Sequence, residues 1–132
     1  MIYMLDTNIC IYIIKKKPQN VIKKFVNMKN NDICISSITY SELFYGVEKS
    51  SYKEKNLIAL LTFLSNIEIL SYNEKASINY GIIRASLEKK GKIIGPLDML
   101  IAAHAMSINA TLVTNNTKEF ERIEGLKLAN WS

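Results

Sequence analysis

The stretch MIYMLDTN (residues 1–8) decides the fold, because a short apolar run ends there abruptly in polar residues. An uninterrupted apolar run over 1–5 is typical of a strand that is buried on both faces of a sheet. The polar residues that begin at Asp6 provide the turn and the cap that start a helix. We therefore predict a buried strand over 1–5, followed directly by a helix over 9–14.

The same alternation of short apolar strands and helices continues along the chain. We predict further strands over 33–35, 67–70 and 111–114, a last extended piece near 127–129, and helices over 19–29, 36–47, 53–65, 74–90, 96–108 and 117–121. No repeat, low-complexity block or Pro/Gly-rich linker interrupts the sequence, so we predict a single domain over 1–132. This pattern predicts an α/β sandwich with a mainly parallel sheet of four to five short strands.

Composition limits the class of protein. The chain has 132 residues, 48% of them hydrophobic and 22% charged, which suits a compact domain that needs no disulfide scaffold. No apolar run approaches the ~18 residues that span a membrane, and lysines follow the N-terminal apolar stretch, the reverse of a secretory signal. Cys10 and Cys34 lack the spacing of a metal site, so we expect buried thiols and a cytoplasmic location.

The net charge of +5 is compatible with a polyanionic partner such as RNA. The charge comes from 15 lysines and only 2 arginines, a bias that an A/T-rich genome produces without selection for binding. Lysine clusters occur at Lys15–Lys17, Lys23-Lys24, Lys89-Lys90 and Lys92. Each cluster fits either a surface that attracts RNA or an ordinary solvated face.

Carboxylates and amides follow the predicted strands at positions that the fold would bring together. Asp6 comes directly after the first strand, and Glu42 lies about two turns beyond the second. Asp98 lies in the first turn of the helix over 96–108, and Asn115 and Asn116 follow the fourth strand. Since parallel sheets bind ligands beyond the carboxyl ends of their strands, these side chains could face one crevice.

Three carboxylates in one cleft repel one another unless a cation neutralises them. Mg²⁺ and Mn²⁺ prefer such oxygen ligands, and a bound metal activates water and stabilises charge on a phosphodiester. The chain has one histidine and no HExxH, GxSxG, Walker or GxGxxG motif, so no rival chemistry is strong. Metal-dependent phosphodiester hydrolysis is the most specific function that these residue types indicate. Taken singly, Asp6 also fits a helix cap, Asp98 a favourable helix-dipole position and Glu42 a solvated helix face.

Four segments, in order and at matching spacing, resemble the PIN-domain ribonucleases of the VapC toxin type. They are MLDTN at 4–8, SSITYSELFYGVEKS at 36–50, GPLDMLIAAHA at 95–105 and LVTNNTKEFERIEGLKLANW at 112–131. The resemblance implies a PIN-like α/β/α fold and a Mg²⁺- or Mn²⁺-dependent endoribonuclease that cleaves structured RNA such as tRNA. It also implies a homodimer and a cognate VapB-type antitoxin that blocks the site.

The resemblance also assigns roles to individual residues. The expected metal ligands and catalytic acids are Asp6, Glu42 and Asp98. Many relatives carry a fourth aspartate where this chain has Asn116, and Glu119, one helical turn later, could supply a carboxylate through water. Asn8 and Thr114 are expected to donate hydrogen bonds that orient the carboxylates.

Two other readings share part of this pattern. Loss of the fourth carboxylate suits a catalytically weakened PIN-like module that only binds RNA or an antitoxin, although such a module has no evident reason to keep the other three acids. A nuclease of ribosomal-RNA maturation or decay would share the chemistry and differ in its partner. His104 lies on an apolar helix face, so we expect a packed core residue rather than a catalytic base.

Overall fold

The computed structural model describes residues 1–132 and contains five strands and seven helices. In chain order they are β1 (Tyr3–Leu5), α1 (Thr7–Lys15), α2 (Gln19–Val26), β2 (Ile33–Ser36), α3 (Ser37–Glu48), α4 (Lys53–Leu64), β3 (Glu68–Leu70), α5 (Glu74–Lys89), α6 (Pro96–Ser107), β4 (Thr111–Val113), α7 (Thr117–Phe120) and β5 (Lys127–Ala129). The predicted element order is therefore confirmed.

The five strands form one sheet in the order β3-β2-β1-β4-β5, and every neighbouring pair is parallel. Met4 in β1 is in register with Cys34 in β2 and with Leu112 in β4, so the central strands run side by side. The chain reverses its direction of winding at β1, which opens a crevice at the carboxyl end of that strand. Asp6 follows β1 at this crevice.

Two apolar cores cover the two faces of the sheet. Met4, Cys34 and Leu112 pack with α5 and α6 on one face. Leu5 and Val113, the next residues of β1 and β4, pack on the other face with the helices α1 to α4. This alternation confirms the α/β/α sandwich and explains why the central strands β1, β2 and β4 are apolar over most of their length.

Side-chain caps fix where two functionally important helices begin. Asp6 Oδ1 accepts a hydrogen bond of 2.9 Å from the Ile9 amide at the start of α1, and Ser36 Oγ accepts one of 3.1 Å from the Ile38 amide at the start of α3. The predicted helix over 19–29 is shorter than expected and ends at Val26, because a 3₁₀ turn over Asn30–Asp32 is needed to lead the chain into β2.

His104 is packed in the core of the sandwich, as predicted. Only 1% of the residue is exposed, and its Nδ1 lies 2.8 Å from Ser36 Oγ, which links α6 to the end of β2. Cys10 and Cys34 are both buried free thiols. None of the helices combines the length and the apolarity that crossing a bilayer requires.

Candidate active site

Asp6 is held at the carboxyl end of β1 by three hydrogen bonds, which connect it to α1 and to the end of β4. Its backbone amide donates to the Val113 carbonyl at 3.0 Å, and its carboxylate caps α1 through the Ile9 amide. The side chain of Thr114, at the end of β4, hydrogen-bonds to the same carboxylate. With 5% exposure, Asp6 is a buried acid whose position is fixed by the sheet itself.

The environment of Asp6 favours its neutral form. The pKa of Asp6 is raised from 3.8 to about 6, mainly by burial and to a smaller extent by the charges of Asp98 and Glu42, while the hydrogen bonds with Thr114 and Ile9 act in the opposite direction. The charges of the other two predicted acids, Asp98 and Glu42, therefore reach Asp6.

Asp98 lies in the first turn of α6 and is half-buried. Burial raises its pKa above 3.8, and the charges of Glu119 and Glu42 raise it further. Glu119, in the short helix α7, is therefore the charged group that affects Asp98 most. This places a fourth carboxylate beside the cleft, at the position proposed from its one-turn spacing after Asn116.

Glu42 is oriented by Thr7, a contact that was not predicted from the sequence. The Thr7 hydroxyl donates a hydrogen bond of 2.6 Å to Glu42 Oε1, and the buried Thr39 hydroxyl lies 3.5 Å from the same Thr7 oxygen. Thr7 directly follows Asp6, so one turn of α1 contacts two of the acids. A hydroxyl next to the first aspartate was the only sequence signal of this role.

The remaining predicted residues differ in how they relate to the cleft. Asn8 is exposed and its side chain makes no hydrogen bond, so the orienting contact expected from Asn8 is instead made by Thr7, which points inward from the same turn. Thr114 is fully buried, and its Oγ1 accepts a 3.0 Å hydrogen bond from the Asn116 amide. The half-buried Asn116 side chain makes no hydrogen bond.

A cleft of about 310 Å³ adjoins Glu42. It runs between α1, α3 and α4, and half of its ten lining residues are hydrophobic. Ile11 and Lys15 of α1 form one side, and Leu43 and Val47 of α3 form the other. Glu42 is therefore the one of the three acids that lines this partly apolar groove.

The profile of the PIN-domain family matches residues 3–126, nearly the whole chain. The chain belongs to the PIN-domain family. It is 54% identical over 132 residues to Ribonuclease VapC2 of Rickettsia felis, with 99% of this chain and 98% of that protein covered. It is 48% identical over 130 residues to the tRNA(fMet)-specific endonuclease VapC of Shigella flexneri, with 98% of each chain covered.

Solved structures agree with these relatives. A chain in the crystal structure of VapBC2 from Rickettsia felis bound to a promoter DNA fragment matches this PIN domain with a TM-score of 0.93 and 51% identity, covering 100% of both chains. A chain in DNA-bound VapBC from Salmonella typhimurium gives a TM-score of 0.94 and 47% identity, covering 100% of this chain and 99% of that one. The predicted resemblance to PIN-domain ribonucleases of the VapC type is confirmed.

The acids of this PIN domain fit a hard divalent cation by their chemistry. None of the three ion pairs in the structure involves Asp6, Glu42 or Asp98, so their mutual repulsion is not balanced by a lysine or an arginine. No three histidine, cysteine, aspartate or glutamate side chains stand close enough together to enclose an ion by themselves. This suits Mg²⁺, which is usually held by one or two carboxylates and keeps several waters.

Proposed function

We propose that this PIN domain is a Mg²⁺- or Mn²⁺-dependent endoribonuclease whose catalytic acids are Asp6, Glu42 and Asp98. One observation supports this most strongly: three acids on three different elements act on one another's charge without a compensating cation. A purely structural cleft would gain stability from replacing any of them, because buried like charges are costly. A bound divalent cation offsets this repulsion and supplies an activated water together with charge stabilisation on the phosphodiester.

The residues of this chain prepare the cleft for that chemistry. The hydrogen bond with Thr114 lowers the pKa of Asp6 and so partly offsets the effect of burial. Thr7 orients the carboxylate of Glu42, and Asp98 lies in the first turn of α6. We assign Asn116 and Glu119 supporting positions around Asp98, where Glu119 adds negative charge and Asn116 replaces a carboxylate with an uncharged amide. This arrangement favours a nuclease over a module that only binds.

Transfer RNA is the substrate class that we propose. The Shigella flexneri relative, at 48% identity over almost the full length, is a tRNA(fMet)-specific endonuclease. The net charge of +5 suits the binding of a polyanion such as tRNA. We expect cleavage at a single-stranded position, since bases in a helical stem cannot enter a narrow cleft readily.

We further propose that a VapB-type antitoxin inhibits the enzyme in a cytoplasmic toxin–antitoxin hetero-oligomer built on a toxin homodimer. The matched structures from Rickettsia felis and Salmonella typhimurium are VapBC complexes. The groove between α1, α3 and α4 leads to Glu42, so an antitoxin segment lying in this groove would reach the acids. Blocking the groove and the acids together would stop cleavage.

The experiment is incubation of the antitoxin-free protein with bulk tRNA in Mg²⁺, in Mn²⁺ and in EDTA. We expect discrete fragments with either metal, none in EDTA, and recovery when Mn²⁺ is added in excess over EDTA. Adding a purified cognate VapB protein should suppress the fragments. Fragments that form equally well in EDTA would refute the metal dependence, and a folded protein that leaves bulk tRNA intact in both metals would refute the proposed function.

A further inference from the structure

A second pocket lies between the end of α1 and the loop that follows β4. Its volume is about 510 Å³, and its polar lining consists of Tyr12, Lys15, Lys17, Asn115 and Ser132. The side chains around it provide two ammonium groups and no carboxylate. The pocket therefore has the charge of a site for an anion.

The two lysines of this pocket are not neutralised within the protein. The three ion pairs of the structure use Lys53, Arg84 and Lys90 as cations. Lys15 and Lys17 are exposed and have no acidic partner. Unpaired lysine ammonium groups attract phosphate. The nucleic acid releases counterions when its phosphates are neutralised, which makes such binding sensitive to salt.

Tyr12 adds an uncharged donor at the centre of the pocket. The Asn115 side-chain amide donates a hydrogen bond of 2.7 Å to the phenol oxygen, and this contact joins residues that are 103 positions apart in the sequence. The phenol oxygen accepts this bond, and no hydrogen bond donated by the Tyr12 hydroxyl is formed within the protein. Together with the two lysines, Tyr12 gives the pocket three donors suited to an oxyanion.

The pocket is continuous with the proposed cleavage site. Ile11 and Lys15 line both this pocket and the cleft that contains Glu42. Tyr12 follows Asp6 by six residues of α1, a distance of about 9 Å along the helix axis. An RNA strand that passes over Asp6 and follows the helix axis would therefore reach Tyr12 and then Lys15.

We propose that this pocket binds a phosphodiester group of the RNA backbone next to the one that is cleaved. The inference rests on the proposed function, and it adds a substrate subsite to it. Phosphate oxygens accept hydrogen bonds and carry the negative charge that Lys15, Lys17 and the Tyr12 hydroxyl would match.

The first test measures the affinity of labelled bulk tRNA as a function of salt, using protein that carries Asp98→Asn so that the RNA stays intact. Adding Lys15→Gln and Lys17→Gln should lower the salt slope by about 0.7 to 0.9, because the pocket holds one phosphate, which contributes about 0.7 on a single strand and 0.9 on a double strand. The matched control is Lys29→Gln with Lys127→Gln. Lys127 pairs with Thr111 at the opposite end of the sheet, and both control lysines are exposed and outside ion pairs.

Two further measurements separate this site from simple surface charge. Tyr12→Phe should weaken tRNA binding severalfold without changing the salt slope, because it removes a neutral donor. In otherwise wild-type protein, the two lysine substitutions should raise KM for tRNA and leave kcat unchanged, as expected for uniform binding. An unchanged slope, or an equal loss in the control pair, would overturn the proposal.

The outcomes also distinguish this inference from its premise. Wild-type protein that fails to cleave tRNA in Mn²⁺ would refute the proposed function, whatever the lysine variants bind. Cleavage by wild-type protein with lysine variants of normal tRNA affinity would refute only the phosphate site. Variants that lose VapB binding and keep normal tRNA affinity would show that the pocket serves the protein partner, which also overturns the proposal.

Discussion

The hydroxyl of Thr7 donates a hydrogen bond of 2.6 Å to Glu42 Oε1 and so connects the residue after the first aspartate to the acid of α3. Thr7 is the first residue of α1, and its position is fixed because Asp6 caps that helix. The carboxylate of Glu42 is therefore oriented by the same turn that holds Asp6. This contact makes the two acids parts of one unit.

Thr7→Val should lower kcat/KM for RNA cleavage about tenfold to a hundredfold, because a hydrogen bond to a charged group contributes about 1.5–3 kcal/mol. Valine keeps the shape of threonine and removes only the donor. Thr7→Ser retains a hydroxyl and should keep most of the activity. Initial-rate measurements on tRNA check this, and equal rates for Thr7→Val and wild type would contradict a positioning role for Thr7.

Metal-free protein should become more stable at neutral pH when Asp6 is replaced by Asn. The folded-state pKa of Asp6 is about 6, above its ordinary value of 3.8, so the folded state holds this proton more tightly than the unfolded chain does. Stability therefore falls as pH rises between about 4 and 6. Above that window the free energy of unfolding of Asp6→Asn should exceed that of the wild type by up to about 3 kcal/mol, which corresponds to about two pKa units.

Urea unfolding in EDTA at pH 4 and pH 7.5 tests this expectation. The gain should be present at pH 7.5 and absent at pH 4, where wild-type Asp6 is protonated in the folded state. Addition of Mn²⁺ should stabilise the wild type and leave Asp6→Asn unchanged, because metal binding shifts the equilibrium only where a site exists. An Asp6→Asn variant that is less stable than the wild type at pH 7.5 in EDTA would contradict the raised pKa of Asp6.

His104 should give the opposite pH dependence. Burial lowers its pKa below 6.5, so the neutral ring is favoured in the folded state. Its contribution is present above pH 6.5 and is lost as pH falls below that value, where the unfolded chain takes up the proton. In an Asp6→Asn background, His104→Gln should remove this loss of stability between pH 7 and 5. If the free energy of unfolding depends on pH in the same way with and without His104, the lowered pKa of His104 is refuted.

Local sequence signals predicted the fold well. Asp6 and Ser36 directly follow apolar runs, and each caps the helix that begins after it, so a few neighbouring residues determine where these elements start. The apolar strands also require cover on both faces, which dictates the sandwich. The bounds were predicted less well: β1 begins at Tyr3, α1 begins at Thr7, and α2 ends at Val26, before a 3₁₀ turn over Asn30–Asp32 that was not predicted.

The contacts that complete the site were harder to predict. The hydrogen bond from Thr7 to Glu42 spans 35 residues, and the one from Asn115 to Tyr12 spans 103. Such pairs depend on how α1 lies against α3 and the end of β4, which periodicity does not specify. Asn8 illustrates the difficulty, since it is adjacent to Thr7 in sequence and yet faces solvent.

The catalytic role of the acids is tested by comparing RNA cleavage by wild type, Asp98→Asn and Asp32→Asn in Mn²⁺. The chain has three aspartates, and Asp32 lies in the turn before β2, away from the cleft, so it controls for loss of one negative charge. We expect Asp98→Asn to remain folded and to lose cleavage by at least about a hundredfold, as removal of a group that acts in the transition state does, while Asp32→Asn cleaves like the wild type. Near-normal cleavage by folded Asp98→Asn would contradict the assignment of the acids to catalysis.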